Sequence, residues 1–230
     1  MSRVGVIGDT HLPASRKGYL EFCQDMFDAW DCDTIVHIGD LVDWHAVSFH
    51  ASEPQCPGPA DEYELALGQV QKWITAFPKV KLCKGNHDER PARLAKTVKM
   101  PEFLIIPYAD LWKTKGWDWQ FNHYIDGVMY RHGTGVSGIH PAWNLMNKSK
   151  MNVVMGHCHS RAGVKFSVNP DRRFFGMDVG CGIDEKAWQF AYGRDYVERP
   201  ILSCGIVIDG HPYLEMMPCG PGEEYHDSRF

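Results

Sequence analysis

No stretch of this 230-residue chain approaches the roughly 20 consecutive apolar residues that a membrane-spanning helix needs. No secretory leader is expected, because a strand-like run begins at Arg3 with no basic patch and apolar core before it. There is no excess of positive charge. The 24 Lys and Arg stand against 29 Asp and Glu, and the formal net charge of −5 gives no global field for nucleic acid. The eight cysteines contain no Cys-x-x-Cys pair, so they read as unpaired thiols in a reducing compartment, several of them in core strands. Internal repeats and low-complexity tracts are absent. What remains is the expectation of a soluble cytoplasmic protein with no membrane attachment. With 44% hydrophobic residues it can bury a full core in a single domain over residues 1–230. The segment 218–230, rich in Gly, Pro and acids, is expected to be a mobile tail.

Against this background five short segments stand out: Gly8-Asp9-Thr10-His11, Gly39-Asp40-Leu41-Val42-Asp43, Gly85-Asn86-His87-Asp88, Arg131-His132-Gly133 and Gly156-His157-Cys158-His159. Each follows a short β-branched or apolar run, at Arg3 to Ile7, Thr34 to Ile38, Lys79 to Cys83, Val128 to Arg131 and Asn152 to Met155. Helical periodicity over Tyr19 to Trp30 and Asp61 to Ala76 separates the first three runs. Strand, helix, strand, helix, strand is the signature of an α/β fold whose parallel strands end at one ligand-binding edge. Beyond Gly163 four more strand-like runs follow, the last two joined by the hairpin dipeptide Asp209-Gly210. They are expected to build a second sheet.

Taken singly, each segment has an ordinary explanation. Asp after Gly is common in turns and helix caps, and a lone His is more often a satisfied core or surface residue. Taken together they offer chemistry. Asp9 and His11 can chelate one ion from a single turn, and Asp40 can bridge two ions with its two oxygens. Asn86 adds an amide oxygen without further negative charge. His157 and His159 can reach two different ions, and His132 completes the set. Five such segments in order, each after a strand-like run, are hard to attribute to coincidence.

In this pattern, a D-x-H, a G-D-x-x-D, a G-N-H-D, an isolated His and a G-H-x-H, the chain resembles the calcineurin-like metallophosphoesterases from Asp9 to His159. The likeness extends to small compact members encoded by bacteriophages. The resemblance implies a sandwich of two mixed β-sheets flanked by helices, and two divalent ions. One would be held by Asp9, His11, Asp40 and His159, the other by Asp40, Asn86, His132 and His157. His87 would be the general acid, oriented by Asp43, and Asp88 would support its turn. The ligand set of nitrogen and oxygen without thiolate suits Mn²⁺, Fe²⁺ or Zn²⁺.

The reaction implied is hydrolysis of a phosphate ester by metal-activated water. Protein Ser/Thr phosphatases of the superfamily follow the second motif with Arg-Gly, where this chain has Trp44, and have Glu where it has Asp88. A phosphodiester is therefore the expected substrate, a nucleotide or nucleic acid; the alternative is a phosphomonoesterase or protein phosphatase. A third reading, a non-catalytic scaffold, follows relatives such as the retromer scaffold subunit that keep the fold while losing ligands. Arg90, Arg161 and His45 are candidate substrate contacts. The irregular stretch 44–59 is expected to overhang the site, and the aromatic-rich 101–124 to form an accessory strand pair near its mouth.

Overall fold

A computed structural model of the chain describes residues 2–49 and 53–218. Its eleven strands are β1 (Arg3–Ile7), β2 (Thr34–His37), β3 (Val80–Cys83), β4 (Trp117–Gln120), β5 (Asn122–Ile125), β6 (Val128–Arg131), β7 (Asn152–Met155), β8 (Ala162–Val168), β9 (Arg173–Val179), β10 (Ser203–Ile208) and β11 (His211–Met216). The helices are α1 (Tyr19–Ala29), α2 (Pro59–Ala76), α3 (Arg90–Thr97), α4 (Tyr108–Leu111) and α5 (Pro141–Ser149). The first sheet has the order β11-β10-β1-β2-β3-β4 and the second β5-β6-β7-β9-β8. Both are mixed: β1 to β4 are mutually parallel with β10 antiparallel to β1, and β6, β7 and β9 are parallel with antiparallel β5 and β8 outside them.

Hydrophobic patterning places the layers. Val4, Val6, Val36 and Val207 from the first sheet meet Val128, Tyr130, Val154, Phe175, Met177 and Val179 from the second in one buried cluster, the filling of a sandwich. The other face of the first sheet is covered by α1 and α2, where Phe22, Phe27, Val70 and Trp73 join Ile7, Leu82 and Ile206. Met129, Val153 and Met155 of the second sheet pack outward against Ala142, Leu145 and Met146 of α5. The architecture is an α/β sandwich of two mixed sheets flanked by helices.

Two expectations need correction. The C-terminal strand-rich part does not form the second sheet by itself: β8 and β9 belong to it, but β10 and β11 extend the first sheet beside β1. Ser203 to Val207 is buried on both faces, the requirement of an interior strand, and the slot between β1 and β11 supplies it. Asp209 and Gly210 (φ 50° and 76°) make the left-handed turn that sets the β10–β11 register. Likewise β4 and β5 are consecutive but not a pair, since each edges a different sheet and the chain crosses over at the exposed Phe121. Trp112 and Trp117 of that region are core residues. Residue 218 of the expected tail is exposed, and 219–230 lie outside the described residues. Among the described residues no helix is long and apolar enough to cross a membrane.

Candidate metal centre

Adjacent parallel strands end side by side, and this topology assembles the site. Asp9, Asp40 and Asn86 follow β1, β2 and β3, while His132 and His157 follow β6 and β7. The first two turns are stitched together, His11 N and Thr10 N donating to Asp40 O (2.9 and 3.2 Å), and Leu12 N to Leu41 O (2.9 Å). The loop after β9, to which the sequence assigns no role, returns here: Gly182 N donates to Asp9 O at 2.8 Å. His11, Asp40 and His157 have φ of 47°, 48° and 71°. Left-handed backbone is uncommon for residues with a side chain and concentrates where function demands it.

The side chains converge as two groups sharing Asp40. Asp9, His11, Asp40 and His159 form one, and Asp40, His132 and His157 the other, with ligand atoms of each group within 4.8 Å of one another. His132 Nε2 lies 3.1 Å from Asp40 Oδ2, from His157 Nδ1 and from Asn86 Oδ1. His11 Nε2 and His159 Nε2 are 3.1 Å apart, and His159 Nε2 is 3.1 Å from Asp9 Oδ2. The far side of the ring is committed in two cases: His11 Nδ1 to Asp43 Oδ1 at 2.7 Å and His132 Nδ1 to Ile38 O at 3.3 Å. With Nδ1–H donating outward, each Nε2 offers a lone pair inward. In the neutral form that cation binding requires, these imidazoles and the carboxylates would face one another acceptor to acceptor, and Asp9 Oδ1 is buried with no hydrogen-bond partner. Such a set fits a pair of cations. Cys158, between the two motif histidines, turns its thiol toward Val136 O (3.8 Å), and burial pushes that thiol up to about 11.

Backbone amides support the carboxylates. His157 N donates to Asp9 Oδ2 and His87 N to Asp40 Oδ1, both at 2.8 Å. Burial disfavours charge on Asp40, but His132 and His87 beside it hold its carboxyl well below the usual range. Burial equally opposes a charged His132, and Asp40 and Asp9 outweigh it, raising the imidazole to about 9. His11 moves the other way, lowered to about 4 by burial and by His87.

Beside the ligands, His87 Nδ1 lies 2.9 Å from Asp43 Oδ1 and 2.9 Å from Asp43 O. Arg90 lies alongside, Nη1 donating to Asp43 O at 2.7 Å and Nη2 standing 3.2 Å from His87 Nε2. Asp88 braces the turn, accepting from Gly85 N (2.9 Å) and Val42 N (3.3 Å). His45 lies on a short 3₁₀ turn with Nδ1 3.8 Å from Asp43 Oδ2 and Nε2 accepting from Glu53 N at 3.1 Å. Trp44 stacks on Tyr63 and abuts Trp112 in the core, so it packs the loop against the first sheet's helices. His50 of the same stretch lies outside the described residues. Arg161 is not brought to the ligands: its fork donates to Glu198 Oε1 (2.9 Å) and to Ser160.

Two contributors escape sequence reading. His37, fully buried behind the turns, meets Thr10 Oγ1 (3.1 Å) and Gly39 N (3.2 Å); its one visible signal is a histidine at the end of an apolar run. Phe190, from the β9–β10 connection, sets its ring 5.4 Å from His11 and 6.2 Å from His159.

A family model described as calcineurin-like phosphoesterase matches residues 2–197. No curated protein matches the sequence. Among solved structures, Vps29 of Chaetomium thermophilum is similar in fold, with 10% identity, coverage of 98% of this chain and 94% of its own, and a TM-score of 0.50. Two others match at lower scores. They are the Pseudomonas putida nuclease MPE (16% identity, 92% and 86% covered, TM-score 0.42) and the E. coli phosphoesterase Yfce (14%, 90% and 88%, 0.42).

Proposed function

The chain belongs to the calcineurin-like phosphoesterases, and on that premise we propose that it hydrolyses a phosphodiester at a dinuclear metal site, a nucleotide or nucleic acid being the substrate class. The observation that carries the reading is the pair of ligand groups hinged on Asp40. Asp9, His11, Asp40 and His159 would hold one divalent ion, and Asp40, Asn86, His132 and His157 the other. Mn²⁺, Fe²⁺ and Zn²⁺ all suit those donors. When bound, two such ions supply Lewis-acid stabilisation of phosphoryl oxygens and bring a water within reach of ionisation near neutral pH.

The remaining work falls to residues beside the ligands. Asp43 accepts from His87 Nδ1, which fixes the tautomer and leaves Nε2 to face substrate. Burial opposes charge on this imidazole, but Asp40 and Asp43 raise it above the ordinary value, so it can carry the proton that a departing alkoxide needs. Arg90 Nη2 sits against that same Nε2. An incoming phosphoryl oxygen offers the guanidinium a charged acceptor, and its transfer there leaves the Nε2–H of the charged imidazole free to donate to the leaving oxygen. The cation count favours a diester. Trp44 stands where the phosphatases carry arginine and is buried, and Arg161 is engaged by Glu198. Among the described residues Arg90 is the guanidinium beside His87, matched to a phosphoryl group of single negative charge.

The test is hydrolysis of bis(para-nitrophenyl) phosphate and para-nitrophenyl phosphate side by side by Mn²⁺-loaded protein, with Asp40→Asn as control. Faster cleavage of the diester, lost in Asp40→Asn, is expected. Faster cleavage of the monoester would replace the reading with a phosphomonoesterase, and no Asp40-dependent turnover of either would favour a scaffold.

A further inference from the structure

Between β9 and β10 the chain makes a long excursion over residues 180–202 whose middle is a 3₁₀ run, Trp188–Gly193. Phe190 roots it: the ring is 6% exposed, packed with Ala14, Cys181 and Ile183, and edge-on to His11 and His159. Its outer part folds back around a cavity of about 300 Å³ bordered by His159, Phe190, Tyr192, Tyr196, Glu185 and Arg199. That volume is at the lower end of cavities that bury small-molecule ligands. One wall is therefore a proposed metal ligand, and the cavity borders the proposed metal centre. Tyr192 and Tyr196 meet edge-on, centroids 6.3 Å apart, and both rings are largely exposed.

Polar groups narrow the ligand. Glu185 Oε2 is buried without a hydrogen-bond partner, with Arg199 Nη1 3.8 Å away. Ion-paired in this way, the Glu185 carboxylate keeps lone pairs free for an N–H or O–H donor. Glu198 stands on the same border, so a second phosphate would meet two carboxylates against the one guanidinium of Arg199, whereas a neutral ring bearing an N–H would meet an aromatic wall and an acceptor.

We propose that this cavity is the specificity subsite of the metal centre and takes the nucleoside of a phosphodiester, the base against Tyr192 and Tyr196 and its N–H on Glu185. The inference rests on the phosphodiesterase reading. It is tested with two diesters that share a leaving group, thymidine 5′-(para-nitrophenyl phosphate) and methyl para-nitrophenyl phosphate, on the Mn²⁺-loaded full chain. The thymidine ester is expected to show a roughly tenfold lower KM, in line with what base stacking on an aromatic ring supplies. In Tyr192→Ala, Tyr196→Ala and Glu185→Gln the ratio of kcat/KM for the two esters should collapse toward unity. Equal KM values in the wild type, or variants that keep the wild-type ratio, would overturn the subsite. If neither ester turns over, the hydrolase reading fails, and calorimetric titration of thymidine 5′-phosphate onto the loaded protein decides the subsite. Binding that Tyr192→Ala abolishes sustains it, and no binding overturns it.

Discussion

Asp43 serves two imidazoles with one oxygen, accepting from His11 Nδ1 at 2.7 Å and from His87 Nδ1 at 2.9 Å. Burial alone would raise this carboxyl, yet the hydrogen bonds from His11 and His87 hold it well below the usual range. One residue thus orients both a proposed ligand, His11, and the proposed general acid, His87. The two imidazoles should separate by experiment. Replacing His87 with Ala should lower kcat by about 10²- to 10⁴-fold, the ordinary contribution of a positioned acid, with metal content by mass spectrometry unchanged. A variant that stays fully active would remove His87 from the chemistry. Gly156 makes the complementary point about space. A Cβ there would overlap Asp9 Oδ1 and the Ile38 side chain, so Gly156→Ala should displace a ligand of one ion group and leave the other. The expected readout is loss of half the bound metal with an unchanged far-ultraviolet circular dichroism spectrum; full occupancy would show that Asp9 can move without cost.

At the scale of elements, the contact of β9 with α5 contains an ionisable group unconnected with the ligands. Asp178 on β9 accepts from Ala142 N in the first turn of α5 (3.2 and 3.3 Å). Burial pushes its carboxyl up from 3.8 to about 7, against the pull of that N–H and of Arg161. The folded chain therefore keeps a proton that the unfolded chain releases first. This contribution to stability is whole below about pH 3.8 and is lost as pH rises to about 7. Asp178→Asn, neutral throughout and still able to accept from Ala142, should melt several degrees above wild type at pH 8 and no higher at pH 4. The same gap at both pH values would contradict the shift. Elements also show what the sequence discloses. β1, β2, β3, β6 and β7 were legible because each is a short apolar run stopped by a glycine or a motif, and α1 and α2 because their apolar faces repeat at helical spacing. The nine-residue α5 was not anticipated; its signal was Pro141 in the first turn, a position that tolerates a missing N–H. The sheet that receives β10, and the Glu198 that takes Arg161 from 37 residues away, depend on tertiary neighbours that no local pattern encodes. The proposed ligand positions stand out in sequence for the opposite reason: each is a chemically distinctive residue close behind the end of a strand.

For the whole molecule, the origin of the ligands matters more than their number. Asp9, His11, Asp40 and Asn86 stand on turns of the first sheet, and His132, His157 and His159 on turns of the second. Each proposed ion would therefore take ligands from both sheets and tie together the edges of a sandwich whose interior is filled largely by apolar side chains. Removing the ions leaves Asp9 and Asp40, both buried, facing each other across imidazoles. Metal should thus stabilise the entire fold. At a free concentration about a hundredfold above the dissociation constant, binding contributes about 2.7 kcal/mol, which for a chain of this size corresponds to several degrees in Tm. Thermal denaturation with Mn²⁺ should run higher than with EDTA, and the increment should grow with the logarithm of Mn²⁺ concentration. Asp40→Asn, which weakens the ligand common to both groups, should lose most of that increment, and its metal-free Tm should fall below that of the metal-free wild type, since an anion that His132 and His87 favour is lost. A Tm indifferent to Mn²⁺ would mean that the two turns do not share an ion. An increment retained in Asp40→Asn would mean that the sheets are tied elsewhere than at this carboxylate.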